Sequence, residues 1–207
     1  MNDVDDVTVF VLAGGKSTRM GKDKAFLEFK GRILLARALE LAAGAGQEVR
    51  IVGDPRKFAA FGRVIEDIYR ECGPLGGIHA ALKSSSTELN LMLAVDLPFM
   101  QSNFLKYLIS VARETRAWVT VPSASDGLQP LCAVYRREFA KIAEQSLAQG
   151  KNKIDALFAE VDTRILEPKE LSEAGFSGQM FRNLNTPEEF DEAAMIANEE
   201  PRLETES

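Results

Sequence analysis

Lys16, Arg19, Lys22 and Lys24 crowd into one short stretch directly after the glycine pair Gly14-Gly15. Cations interleaved with Ser17, Thr18 and Gly21 are the side chains that hold an anion. Phosphate leads the candidates, because a glycine turn also lets backbone N–H groups approach a ligand closely. Arg19 and Lys24 can neutralise a polyphosphate and the negative charge that develops in a transition state. Lys16 and Lys22 could do the same; spacing does not rank the four, and each could instead be a solvated surface residue. Asp96 is the sharpest residue elsewhere. It follows the apolar run Leu89–Val95, and Pro98 just after it favours leaving a sheet. A carboxylate there, facing a phosphate loop, suits a hard cation such as Mg²⁺, which takes one or two carboxylates plus substrate phosphate oxygens. Capping the next helix is the competing use.

Asp67 could meet a sugar hydroxyl or a base, or cap a turn. Gly73–Gly77 offers Pro74 and Leu75 as an apolar shelf for a flat ring, unless it is a plain connection. His79, the single histidine, sits beside Ala80, Ala81 and Leu82 and reads as a packed helix residue. One histidine and two separated cysteines leave little for Cys-His or Ser-His-Asp chemistry. A reaction with an anionic nucleophile needs no general base, and a phosphate monoester attacking a nucleoside triphosphate is such a case. Catalysis there is positioning, Mg²⁺ and cationic charge neutralisation.

The first loop matches neither familiar phosphate motif. Gly15 and Gly21 are separated by five residues and Lys22 precedes Asp23, so the Walker A pattern fails, and GxGxxG is absent. The net charge of −6 argues against general nucleic-acid binding and makes the basic stretch a local patch on an acidic chain. Length of 207 residues suits one large domain, and 45% hydrophobic with 27% charged residues is ordinary for a soluble protein. Cys72 and Cys132 imply neither a disulfide framework nor a zinc site, and read as buried free thiols of a reducing compartment. There is no basic-plus-apolar leader and no apolar run near the roughly 20 residues that span a bilayer. These features place the protein in the cytoplasm, off membranes.

The elements that must position these residues alternate. Val7–Leu12 reads as a buried strand running into the glycine turn, and Phe26–Phe29 as a brief strand before Lys30-Gly31. Ile33–Ala43 reads as a helix ending at Gly44, Glu48–Val52 as a strand ending at Gly53-Asp54, and Arg56–Phe61 as a short helix. Val64-Ile65 begin a strand that ends near Asp67. Cys72–Gly77 reads as a second glycine-rich turn with a helix over Ile78–Lys83. Leu89–Val95 is the clearest buried strand. Ser102–Thr115 is amphipathic with Ser102 as its N-cap. Strands follow over Trp118–Val121, Leu131–Tyr135 and Val161–Leu166, with helices over Arg137–Ala148, Asn152–Phe158 and Lys169–Ala174. Thr186 and Pro187 suit the start of a last helix to Asn198, before an acidic, disordered tail over Glu199–Ser207. The alternation predicts an α/β, doubly wound, mostly parallel sheet, with ligands outside the carboxyl ends of the strands. Residues 1–198 then form one domain.

Leu12–Lys24 (LAGGKSTRMGKDK), Gly73–Ile78 (GPLGGI), Val95–Phe99 (VDLPF), Gln129–Tyr135 (QPLCAVY) and Asn183–Glu188 (NLNTPE) occur in order across most of the chain. Together they resemble the molybdenum cofactor guanylyltransferases, nucleotidyltransferases of the nucleotide-diphospho-sugar transferase, or glycosyltransferase-A-like, fold. The resemblance implies three layers and transfer of GMP from Mg·GTP to the terminal phosphate of molybdenum–molybdopterin, with pyrophosphate released. It implies that Leu12, Ala13, Gly14, Gly15, Lys24 and Asp67 contact GTP, that Asp96 contacts GTP and holds Mg²⁺, and that Asn183 and Asn185 lie on the pterin side. Capping the last helix is the structural alternative for the two asparagines. The expected partners are GTP, molybdenum–molybdopterin and, transiently, molybdopterin-delivering proteins and molybdoenzymes. Relatives often carry Asn after the second strand, where this chain has Gly53-Asp54; Asp54 could still accept hydrogen bonds from ribose or guanine. Gln129 replaces a His or another polar residue, and the tail has no counterpart. LAGG and GPLGG lean toward guanine, whereas cytidylyltransferases of the same pterin more often read LAAG. A cytidylyltransferase using CTP, or a non-catalytic GTP-binding partner of molybdoenzymes, is the alternative.

Overall fold

Alternate residues of each central strand face opposite layers. In β1 (Val7–Leu12), Val7, Val9 and Val11 pack into one core and Phe10 into another. This is the period of two that a strand imposes, with both faces covered. The structure is a computed structural model that describes residues 7–14 and 23–184. Beyond β1, a 3-10 turn over Lys24–Phe26 leads into the hairpin of β2 (Glu28–Phe29) and β3 (Arg32–Ile33). Next come α1 (Leu34–Ala43), β4 (Glu48–Val52), α2 (Pro55–Phe58), β5 (Val64–Ile65), α3 (Gly73–Ser84), β6 (Leu89–Ala94) and α4 (Ser102–Glu114). The remainder is β7 (Val119–Ala124), β8 (Gly127–Leu128), β9 (Cys132–Arg136), α5 (Phe139–Ala148), α6 (Ile154–Phe158), β10 (Thr163–Leu166) and α7 (Pro168–Glu173), closed by a 3-10 turn over Gly178–Phe181.

The main sheet runs β10-β7-β9-β6-β1-β4-β5, with β8 paired to β7. β1 lies parallel to both β4 and β6, β4 to β5, and β7 to β10, while β9 runs antiparallel between β6 and β7. The fold is therefore the expected α/β, mostly parallel sheet of three layers. One outer layer is α1, α4 and α7, whose Leu34, Leu35, Phe104, Leu108 and Leu171 meet Val9, Leu91 and Val134. The other is α3, α5 and α6, whose Leu75, Ile78, Phe139 and Leu157 meet Phe10, Met92 and Tyr135. Each fully buried Leu or Phe contributes about 1.5–3 kcal/mol, so these two cores hold the sheet in place to present its carboxyl edge.

Three expectations are corrected. Phe26 belongs to the 3-10 turn rather than a strand, because Phe26 N bonds back to Asp23 O at 3.0 Å. Gly73–Gly77 is not a turn ahead of a helix: it is the first part of α3 itself. Three glycines in a helix would ordinarily weaken it; here a Cβ on Gly76 would stand 2.7 Å from the Tyr69 carbonyl oxygen, so that glycine is what lets the preceding loop pack onto the helix. Ser102 is the first residue of α4, preceded by Gln101 with no side-chain cap bond. The expected helix from Thr186 and the tail from Glu199 lie outside the described residues. Among those described, no helix is long and apolar enough to cross a membrane.

Candidate functional site

β1 delivers the glycine turn to the carboxyl edge, and its neighbours pin it there. Ala13 N and Gly14 N both donate to Val52 O at 3.0 Å, and Val95 N donates to Leu12 O at 3.2 Å. The last residues of β1 are thus held between the ends of β4 and β6. A Cβ on Gly14 would lie 3.7 Å from Gly53 Cα, in ordinary contact. On Gly53 it would meet the Phe58 ring at 2.7 Å, so only glycine fits. Gly14 is exposed and leaves backbone without a side chain at one point of the edge, where an anion can approach, although its N–H is already bonded to Val52 O; at Gly53 the corresponding space is filled by the Phe58 ring.

Lys24 and Asp96 close the site from the next position along. Lys24 opens the 3-10 turn, and its Nζ lies 3.1 Å from Asp96 Oδ2. Each side chain retains 22% of its surface. The turn is itself tied down: Asp23 accepts from Ala25 N at 3.2 Å through Oδ1 and takes Lys57 Nζ at 2.7 Å through Oδ2. Lys57 belongs to α2, and so does Phe58, whose ring stacks on Phe26 at 5.7 Å between centroids. The helix that supports Gly53 therefore also supports the turn carrying Lys24. Sequence reading missed Asp23, Lys57 and Phe58, and no local signal distinguishes them from an ordinary surface turn and amphipathic helix.

Asp67 approaches from the other side. Its Oδ1 lies 3.6 Å from where a Gly77 Cβ would stand and its Oδ2 3.8 Å from that of Gly76, so the carboxylate rests on the first turns of α3. Burial, and secondarily the charge of Glu66, pushes this carboxyl above the usual carboxylate range. A partly desolvated acceptor of this kind fits a ligand N–H or O–H. Leu12, Ala13, Gly14, Lys24 and Asp96 are thus gathered around the ends of β1, β4 and β6, while Asp67, just past β5, lies against the first turns of α3.

Asp54 is engaged locally. It caps α2 by accepting from Arg56 N at 2.9 Å, and its Oδ2 pairs with Arg56 Nη2 at 2.8 Å. Hydrogen bonding by Arg56 lowers its carboxyl below the usual range. Asn183 is exposed after the last 3-10 turn, and no described contact links it to the Lys24–Asp96 pair. Gln129 Nε2 donates to Asp126 Oδ1 at 2.8 Å, within its own turn. His79 is fully buried with its ring at 5.3 Å from Tyr69, a packed helix residue as read from the sequence. Cys72 and Cys132 are free as expected, but only Cys132 is buried, which raises its thiol far beyond reactivity; Cys72, just before α3, stays partly exposed. Gly15, Lys16, Arg19, Lys22 and Asn185 lie outside the described residues.

The donor set fits a hard divalent cation bound partly by substrate. Asp96 presents a carboxylate just past the end of β6 with surface still open, on the same edge as the exposed backbone of Gly14. Among the described residues no group of three metal-ligating side chains exists. A cation held by Asp96 would complete its shell from phosphate oxygens and water, the habit of Mg²⁺.

The chain matches the model of the MobA-like NTP transferase domain over residues 9–164. The molybdenum cofactor guanylyltransferase of Desulfosudis oleivorans is 33% identical to it over 193 residues, covering 92% of this chain and 95% of that protein. The probable molybdenum cofactor guanylyltransferase of Clostridium perfringens strain 13 is 30% identical over 186 residues, covering 88% and 93%. The crystal structure of molybdopterin-guanine dinucleotide biosynthesis protein A from Archaeoglobus fulgidus superposes with a TM-score of 0.81 at 25% identity, covering 92% of this chain and 98% of that one.

Proposed function

The chain belongs to the MobA-like NTP transferase family, the molybdenum cofactor guanylyltransferases, and on that premise we propose that it transfers GMP from GTP to the terminal phosphate of molybdenum–molybdopterin. Residues 1–198 act in this reading as one nucleotidyltransferase domain. The observation that carries it is the Lys24–Asp96 pair at 3.1 Å, on the same sheet edge as the exposed backbone of Gly14. An oxygen of the acceptor phosphate attacks the α-phosphorus of GTP, the bond to the bridging oxygen of the β-phosphate breaks, and pyrophosphate leaves. The nucleophile is already anionic, so no side chain has to remove a proton, and the chain's one histidine, buried in α3, is not needed as a base.

Each residue then has a role that its chemistry allows. Ala13 and Gly14 let the triphosphate approach the backbone, with Leu12 as the apolar floor. The Lys24 ammonium turns from Asp96 toward the phosphates and offsets charge that builds during transfer. Asp96 would hold Mg²⁺, which when bound would supply charge screening and Lewis-acid polarisation at the phosphates. The carboxylate of Asp67 accepts from a sugar hydroxyl or a base N–H. Arg19 and Gly15 join the triphosphate side, and Asn183 and Asn185 the pterin side, by their place in the family motifs. Asp54 must release Arg56 before it can meet a nucleoside.

Purified protein with Mg²⁺, a molybdopterin-loaded acceptor and each of GTP, CTP, ATP and UTP tests the proposal by pyrophosphate release. Turnover with GTP alone is expected. Turnover with CTP alone overturns the guanine assignment, and none with any nucleotide leaves a GTP-binding partner of molybdoenzymes as the reading.

A further inference from the structure

We propose that Arg37 is a positioning residue which braces the chain leaving Asp96 against the chain leaving Lys24, and so sets the geometry of that pair; the proposal rests on the nucleotidyl-transfer reading above. Arg37 lies on α1, outside every motif that the family resemblance draws on. Its Nη2 donates to the Pro98 carbonyl at 3.1 Å, two residues past Asp96. Its guanidinium carbon stands 5.3 Å above the centroid of the Phe29 ring, on the strand that follows the Lys24 turn. Phe29 in turn meets Phe99 edge-on at 5.5 Å, so the two chain segments touch each other beside the guanidinium. Leu34 N, at the start of the same helix, donates to Leu27 O at 2.9 Å, just past the Lys24 turn. One planar group therefore reaches both sides of the site.

A second observation separates this role from simple packing. The Nε of Arg37 is buried and has no hydrogen-bond partner among the described residues. Glu40, on the same helix, pairs with Arg32 instead. An orphaned, desolvated donor costs folding free energy that a leucine or methionine of similar reach would avoid. What the guanidinium supplies and those residues cannot is a donor and a cationic plane together. Lysine offers the donor without the plane. Burial of Nε also keeps that edge away from any nucleotide, unlike an arginine that grips phosphate.

The test compares the full-length wild type with Arg37→Met and Arg37→Lys. With GTP and the molybdopterin-loaded acceptor, Arg37→Met is expected to lower kcat about 10²-fold, the cost of a small misplacement of reacting groups. KM for GTP should stay within about threefold, because no ground-state contact is lost. Arg37→Lys should recover part of kcat. In protein carrying 4-fluorophenylalanine, with Phe99 assigned through Phe99→Leu, the Phe99 fluorine resonance should move in Arg37→Met. A raised KM with unchanged kcat would make Arg37 a substrate ligand and overturn the proposal, as would an unmoved Phe99 resonance. Should Arg37→Met fail to fold, Arg37→Lys is measured by the same kinetics and the same resonance, and the same results support or overturn the brace. If the wild type turns over no nucleotide, the functional reading fails, and the fluorine spectrum alone decides for or against the brace.

Discussion

Lys24 Nζ and Asp96 Oδ2 meet at 3.1 Å although 72 positions of chain separate them. The contact exists because β6, which delivers Asp96, pairs directly with β1, which delivers the loop leading to Lys24. As a partly exposed ion pair it contributes modestly to stability, about 1 kcal/mol or less. In the proposed function its value is to hold a cation and a carboxylate at one place before a nucleotide arrives.

Asp96→Asn should therefore separate fold from function. Its denaturant midpoint should shift by no more than about 1 kcal/mol in stability, since only a partly exposed pair is lost. Pyrophosphate release should fall by about 10²–10³-fold, the scale of losing a main charge-stabilising group. Wild-type turnover in this variant would remove Asp96 from the mechanism.

Two glycine substitutions should behave differently. An added methyl at Gly14 meets nothing nearer than 3.7 Å, whereas at Gly53 it meets the Phe58 ring at 2.7 Å. Gly53→Ala should cost about 1–3 kcal/mol through overpacking. Gly14→Ala should melt like the wild type yet raise KM for the nucleotide about tenfold or more, because it fills the approach to the backbone. Equal KM in Gly14→Ala and wild type would place the triphosphate elsewhere.

Asp67 offers a test by pH. Its carboxyl is raised by burial and by the Glu66 charge, so the folded state holds a proton more readily than the unfolded one. Stability contributed by that protonation is present below the ordinary carboxylate pKa and is lost as pH rises through the higher folded value. Asp67→Asn should consequently stabilise the protein at neutral pH, lose that advantage in acid, and weaken nucleotide binding. Thermal melts at several pH values, with nucleotide titration of each protein, check all three. A neutral-pH Tm below that of the wild type would contradict the burial argument.

His79 should give the opposite slope. It is fully buried, and neither ring nitrogen has a hydrogen-bond partner among the described residues. Burial lowers its pKa; Glu144 acts against this and Lys83 with it, and those two pair with each other at 3.3 Å. The folded state disfavours the proton, so stability is full above the ordinary histidine value of about 6.5 and falls as pH drops from there toward the lower folded value. His79→Leu should add about 1 kcal/mol or more at neutral pH by removing unpaired polar atoms. Urea midpoints measured from about pH 8 down to about pH 5.5, across the ordinary histidine range, should diverge on the acid side. Parallel curves would show that His79 finds a partner.

The sequence by itself determined the main strands and helices and the class of chemistry. Val7–Leu12 and Glu48–Val52 are legible to the residue because a strand's apolar run and its terminating glycines are local signals. The charge pattern and the scarcity of histidine pointed to phosphate chemistry for the same reason: composition needs no partners. What tertiary structure decided is everything that depends on strand order and on which side chain meets which. Inserting β9 antiparallel between β6 and β7 is a matter of pairing, which no period within a strand encodes. GPLGG reads locally as a turn, and only the Tyr69 carbonyl packed against it explains why a helix carries glycine there. Asp54 reads as a ligand candidate, yet Arg56 and the α2 terminus occupy its oxygens. Arg37 carries no signal at all in the sequence. Its meaning comes from two distant segments, one bearing the Pro98 carbonyl and one the Phe29 ring, and they converge on it only when the sheet assembles.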